Sequence, residues 1–255
     1  MKISVLCVTY KDDLLIKNLI KSFEHFKPSD YNLQYVIVEN SSNSSFKEKV
    51  TEGLNDIVYI NHADGEKYTI NSGKSSIGHG LAYEFGKQYI KHDWTFVCHS
   101  DCFITSNSFF QEFKKKVDEG YELIGVCYDS HPNRIQAVHC SGFLIKTDIL
   151  KKVSMLPDLP KFDTTDKLTE FCRKNNNKIF VFSNTYNDKN LVELINEPFK
   201  SLGKDCGVDR CLATETNKVI YMHQGRGTSK LSGQYSVSGK LSTDEWFNIC
   251  NSIID

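Results

Sequence analysis

The sequence predicts an α/β protein with a mainly parallel central sheet flanked by helices. Short apolar runs alternate with helical patterns through the first half, as successive βα units require. The first helical pattern spaces Leu15, Leu19, Phe23 and Phe26 along one face. The chain has 255 residues, 40% hydrophobic and 25% charged, which suits one substantial core and shows no compositional sign of wholesale disorder.

The elements follow in order. "ISVLCVT" reads as a buried strand and "DDLLIKNLIKSFEHF" as the helix after it. "LQYVIVE" is a second strand that breaks into "NSSNSS", where Asn and Ser favour turns and caps. "DIVYIN" is a third. A long polar loop then leads to "GHGLAYEFGKQYI", expected as a helix opened by glycines. "WTFVC" is the fourth strand, and "SNSFFQEFKKKVDEG" an amphipathic helix leading to the strand "ELIGVCY". Beyond about residue 130, "AVHCSGFLIKTDIL" reads as a strand passing into a helix, and "DTTDKLTEFCRK" as a helix capped by Asp or Thr. "NKIFVFS" and "NKVIYMH" are further strands with a polar, helix-compatible segment between them. "STDEWFNICNSII" is a terminal helix with Ser242 or Thr243 as N-cap. With no repeat and no low-complexity linker, the second half continues the first.

A net charge of −1 provides no global field for nucleic acid or anionic membrane. The nine cysteines form no CxxC pair, and Cys7, Cys98 and Cys127 sit in apolar strand-like runs, where a thiol acts as a small buried hydrophobe. "MKISVLCVTYKDD" has too short an apolar run for a secretory leader, and no window reaches membrane-span length. The expected location is cytoplasmic.

In open α/β sheets ligands collect at the carboxyl ends of strands. Four such ends are polar: Thr9 and Tyr10; "ENSS" from Glu39; "HSD" from His99; and "MHQGRG" from Met222. Neither GxGxxG nor GxxxxGK[ST] is present, which argues against a dinucleotide site or a Walker-type phosphate loop. Residues i and i+2 of an extended chain share a face, so His99 and Asp101 point toward one ligand. The plainer alternative is that they cap the next element or bond each other.

The ordered set "SVLCVTY", "VIVENSS", "GHGLAYEFG", "FVCHSDCF", "CSGFLIKTDIL" and "VIYMHQGRGTS" resembles the GT-A glycosyltransferases of glycosyltransferase family 2, closely over the first 150 residues and more loosely after. The resemblance implies a GT-A fold, with a Rossmann-like sheet, in a single domain over 1–255. Residues 1–127 would be the nucleotide-sugar half, and 128–255 the acceptor half with a C-terminal loop and helix. It implies that Thr9, Tyr10, Glu39, Asn40 and Ser41 bind the nucleoside, with Gly78, His79 and Ser100 beside the donor. "HSD" stands where the family has DXD, so Asp101 would hold a divalent cation, with His99 in place of the first Asp and His223 as a further ligand. His139 is a weaker candidate.

A carboxylate with imidazoles suits Mn²⁺ better than Mg²⁺. Arg226 and Lys230 would meet phosphate charge. The resemblance implies inverting chemistry with its base in an acidic motif ahead of the late strand, here "GKDCGVDRCL", with Asp205 preferred as the opening of a helix and Asp209 one turn later as the alternative. The expected function is metal-dependent sugar transfer from a nucleotide-sugar, a UDP-sugar by preference, to a glycan or other hydroxyl-bearing acceptor, a modified nucleobase included. The alternatives are a nucleotidyltransferase and a non-catalytic nucleotide-sugar-binding module.

Overall fold

A computed structural model describes residues 1–68, 74–129, 131, 134–231, 233 and 240–254. Chain order runs β1 (Lys2–Thr9), α1 (Leu14–Phe26), β2 (Asn32–Glu39), α2 (Lys47–Thr51), β3 (Ile57–Asn61), α3 (Ser75–Gly86), β4 (Trp94–His99), β5 (Cys102–Ile104) and α4 (Ser108–Asp118). It continues through β6 (Leu123–Gly125), β7 (Tyr128–Asp129), β8 (Ala137–Val138), β9 (Gly142–Lys146), α5 (Thr147–Lys152), α6 (Asp166–Lys174) and β10 (Ile179–Val181). The last elements are β11 (Asp209–Leu212), β12 (Val219–His223), α7 (Gly227–Leu231) and α8 (Thr243–Ile254).

Seven strands form the main sheet in the order β10-β6-β9-β4-β1-β2-β3. Only β9 runs antiparallel to its neighbours, so the sheet is mainly parallel, as expected from the alternating pattern. Both of its faces are covered, which explains the unbroken apolar run of β1. Ile3, Val5 and Cys7 pack with Ile16, Leu19 and Phe23 of α1 on one face. Leu6 and Val8 pack with Ala82 and Tyr83 of α3 on the other.

The chain lays down β1, β2 and β3 on one side and then crosses to place β4 on the free edge of β1. The strand order reverses between β1 and β4, and the crevice at their carboxyl ends is where such sheets bind ligands. A smaller antiparallel sheet, β11-β12-β5, stands at that end. A third apolar cluster, with Phe103, Met222 and Trp246, joins it to α8. The N-terminus of α8 is closed by a reciprocal cap: Glu245 N–H donates to Ser242 Oγ at 3.2 Å and Ser242 N–H to Glu245 Oε2 at 2.8 Å.

Two local expectations are corrected. α3 begins at Ser75, so Gly78 and Gly80 lie inside it and do not open it. Close packing explains them: a Cβ on Gly78 would stand 2.8 Å from Tyr68 Cβ, and one on Gly80 2.9 Å from the Met155 carbonyl oxygen. Nor does a helix start at Asp205. That residue lies in a turn, and the chain then enters β11 at Asp209. The cause is tertiary: Arg210, fully buried, donates to the carbonyls of Phe199 at 2.7 Å and Gly203 at 2.8 Å, which pins the loop against the strand. Arg210→Met leaves both acceptors short of a donor and is expected to lower stability by about 2–4 kcal/mol. Urea unfolding measures this, and an unchanged midpoint would refute the pinning role.

Candidate functional site

The small sheet brings together residues far apart in sequence. In its ladder Asp209 lies opposite His223, and His223 opposite Cys102, the neighbour of Asp101. β4 delivers His99 from the main sheet to the same point. The His223 Nε2 lies 3.4 Å from Asp101 Oδ1 and 3.4 Å from His99 Nδ1, and His99 Nδ1 lies 4.0 Å from Asp101 Oδ1. Neighbouring donors around one octahedral ion at 2.0–2.5 Å stand roughly 3–3.5 Å apart, so the three atoms fit a single small cation after slight closure. Among the described residues they form the one group of three or more His, Cys, Asp or Glu side chains suited to a metal. Two imidazole nitrogens and a carboxylate oxygen are a mixed donor set of the kind that transition ions accept.

Each ligand is held from behind. Asp101, 5% exposed, accepts from Gly227 N–H at 2.7 Å through Oδ2, which leaves Oδ1 toward the imidazoles. Gly227 must be glycine, because a Cβ there would sit 2.3 Å from Asp101 Cβ. The His99 ring stacks on His79 at 4.9 Å, His79 stacks on Tyr83 at 5.0 Å, and the Tyr83 hydroxyl donates to the Cys98 carbonyl.

The electrostatics follow from burial and neighbours. Burial pushes the Asp101 carboxyl up, but the His223 charge and hydrogen bond, then His99 and the Gly227 N–H, hold it well below the usual carboxylate range. Burial pulls His223 down, yet Asp101 beside one nitrogen and Asp209 beside the other raise it to about 10. His99 is driven well below its ordinary value by burial and by the His79 and His223 charges. Without an ion the site therefore carries a negative Asp101, a neutral His99 and a protonated His223, and a cation held by all three would displace the proton from His223 Nε2.

Two cavities meet at His99 of this cluster, and His223 lines neither. The first, about 220 Å³, is lined by Val8, Thr9, Tyr10, Asn40, Tyr68, Ser75, His79, His99, Ser100, Asp101 and the stretch Arg226–Ser229. The second, about 510 Å³, shares Ser75, His79 and His99 with it and adds Ser76, Asp129, His131, Arg134, His139, Cys140, Asp163, Thr164, Asp166 and Tyr186. Of the residues singled out from sequence, Thr9, Tyr10, Asn40, His79, Ser100 and Arg226 line the first cavity with His99 and Asp101.

Several others do not line it. Glu39 is fully buried, and its carboxylate accepts from Lys11 N–H at 3.0 Å, Ser41 Oγ at 2.7 Å and Tyr59 Oη at 3.4 Å. It ties the loops after β1 and β2 together. Ser41 is spent on it, and Gly78 is packing inside α3. Lys230 turns back to the Gln224 carbonyl at 3.3 Å. The Asp205 residue is exposed and lines neither cavity, and its carbonyl accepts from Lys240. Asp209 lies against His223, and His139 lines the second cavity.

The residues missed from sequence are the carboxylates of the second cavity. Arg134 Nη2 pairs with Asp129 at 2.6 Å, its Nη1 pairs with Asp163, and Asp166 stands 3.9 Å away. Asp166 opens α6 and accepts from Asp163 N–H at 2.7 Å, and burial raises its carboxyl to about 6. "DTTD" reads in sequence as a helix cap, and in the fold its two carboxylates, Asp163 and Asp166, line the second cavity.

No family model matches the sequence, and no curated protein does. Solved structures do resemble it. Staphylococcus aureus TarS is similar at a TM-score of 0.51 and 17% identity, over 72% of this chain and 35% of that one. TarS 1–349 in complex with UDP-GlcNAc is similar at 0.50 and 14%, over 72% and 56%. A mannosyltransferase from Pyrobaculum calidifontis in complex with GDP-Man and Mn²⁺ reaches 0.49 and 13%, over 70% and 54%. The chain thus spans about a third to a little over half of the length of these proteins. The TarS likeness shows the fold, which is that of the GT-A glycosyltransferases.

Proposed function

We propose that this chain, with its GT-A fold, is a metal-dependent glycosyltransferase that moves a sugar from a UDP-sugar to a hydroxyl-bearing acceptor with inversion. The observation that carries the reading is that the two cavities share His99, which belongs to the His99, Asp101 and His223 group suited to a metal. A donor in the first cavity would set its pyrophosphate at this cluster and its anomeric carbon toward the second. The UDP preference is supported by the TarS fold neighbour solved with UDP-GlcNAc. The preference for Mn²⁺ over Mg²⁺ follows from the two nitrogen donors, since Mg²⁺ prefers oxygen and retains its waters.

Thr9, Tyr10 and Asn40 would hold the nucleoside, while Arg226 and the hydroxyls of Thr228 and Ser229, which line the same cavity, would meet the phosphates. The reaction breaks the bond from the anomeric carbon to the β-phosphate oxygen, and the electron pair leaves with UDP. A divalent ion held by the three ligands would offset that charge when bound. The acceptor oxygen forms the new bond from the opposite face and gives up its proton to a carboxylate. Asp166 is the base in preference to Asp205 and Asp209, because it lines the second cavity and burial raises its carboxyl to about 6. The division into a donor half and an acceptor half becomes approximate, since Arg226–Ser229 would serve the donor.

No helix among the described residues is long and apolar enough to cross a membrane. The nine cysteines are all free and eight are buried, which supports a reducing, cytoplasmic setting.

Calorimetry of UDP with and without Mn²⁺, followed by NMR of the product anomer, tests the whole reading. UDP binding that tightens at least tenfold with Mn²⁺, and product of inverted configuration, are expected. Release of pyrophosphate would make the chain a nucleotidyltransferase, and UDP binding without turnover across donors would make it a binding module.

A further inference from the structure

The metal cluster has an outer layer that the reaction scheme does not use. We infer that Asp209 and Cys140 are positioning residues, each gripping the far side of one imidazole so that the near nitrogen of His223 and of His99 is aimed at the ion. The inference rests on the metal site proposed above.

The geometry is the same on both rings. His223 directs Nε2 at Asp101, and its Nδ1 lies 3.1 Å from Asp209 Oδ2. His99 directs Nδ1 at His223, and its Nε2 lies 3.2 Å from Cys140 Sγ. A ligating imidazole needs a lone pair on the nitrogen facing the cation, which requires that the other nitrogen carry the proton. An acceptor behind that second nitrogen selects the tautomer and fixes the ring plane. Asp209 provides it to His223 as a carboxylate, and Cys140 provides it to His99 as a sulfur.

Asp209 is not placed there by a flexible loop. It is the first residue of β11 and stands directly opposite His223 in the antiparallel ladder. Arg210 beside it is fully buried and bonded to two carbonyls, so the strand cannot shift to withdraw it. Neither cavity is lined by Asp209, so contact with donor or acceptor does not explain it.

The test is metal binding itself. In Mn²⁺ calorimetry Asp209→Ala is expected to weaken affinity by about 10- to 100-fold. Asp209→Asn, whose amide oxygen can still accept from Nδ1–H, should fall between it and the wild type. Cys140→Ala should weaken affinity by less than Asp209→Ala, as sulfur is the poorer acceptor. UDP binding without metal should stay within about twofold in all three, which separates aim of the ligands from damage to the fold. Should Asp209→Ala fail to fold, the Asn variant still gives the reading.

Wild-type Mn²⁺ affinity in both Asp209 variants would overturn the inference while leaving the metal site intact. Failure of the wild type to bind Mn²⁺ would overturn both. The Co²⁺-loaded protein checks Cys140 separately: an intense near-ultraviolet sulfur-to-metal band would make it a direct ligand and overturn its outer position.

Discussion

Asp101→Asn is expected to lower sugar transfer at least about 10³-fold and to remove measurable Mn²⁺ binding. The amide is a far weaker ligand for a divalent ion than a carboxylate, and the charge it removes is the one held fully ionised by its surroundings. The damage goes beyond one bond. Asp101 lies 3.4 Å from His223 Nε2, so its loss also deprives that imidazole of a partner and leaves Asp209 alone to orient it. Since the Gly227 N–H can still bond the amide oxygen, the backbone around α7 should hold its shape, and circular dichroism should show a folded protein. A variant that bound Mn²⁺ at wild-type affinity would remove Asp101 from the ligand set.

The second large effect is expected at the carboxylate that receives the acceptor's proton. Asp166→Asn should slow transfer by about 10² to 10⁴-fold with little change in UDP affinity, because general-base catalysis contributes on that order and Asp166 lies outside the donor cavity. The pH profile gives a sharper signature. Burial raises the Asp166 carboxyl to about 6, and only its ionised form can take a proton. The wild-type rate should therefore fall about tenfold per unit below pH 6 and level off above it, and the variant should lose this limb. Asp205→Asn, at an exposed turn outside both cavities, should remain close to wild type. If Asp205→Asn were crippled and Asp166→Asn active, the base would lie in the "GKDCGVDRCL" segment instead.

The sheet class, the order of most strands and helices, and the strand ends at which polar residues collect can all be read from the chain's residues. These are local matters. Apolar period, helix caps and the abrupt switch from "WTFVC" to "HSD" are written in neighbouring residues, and His99 and Asp101 share a face because a strand repeats every two residues. Tertiary structure alone decided what each polar strand end would meet. Glu39 ends its strand as Asp101 follows β4, yet Glu39 is sealed by Lys11, Ser41 and Tyr59 while Asp101 faces two imidazoles.

The base shows the same division. Asp205 looked suitable because "DCG" can open a helix, but Arg210, anchored to Phe199 and Gly203, holds this stretch in a turn and strand. Asp166 is visible in sequence as a helix cap, and it is an acid–base candidate because burial raises its carboxyl to about 6 even with Arg134, 32 positions earlier in the chain, 3.9 Å away. Local pattern selects elements because backbone sterics and hydrophobic period act over a few residues. The chemistry of a side chain depends on desolvation and on charges brought close by chain crossings, and no short window of sequence contains them.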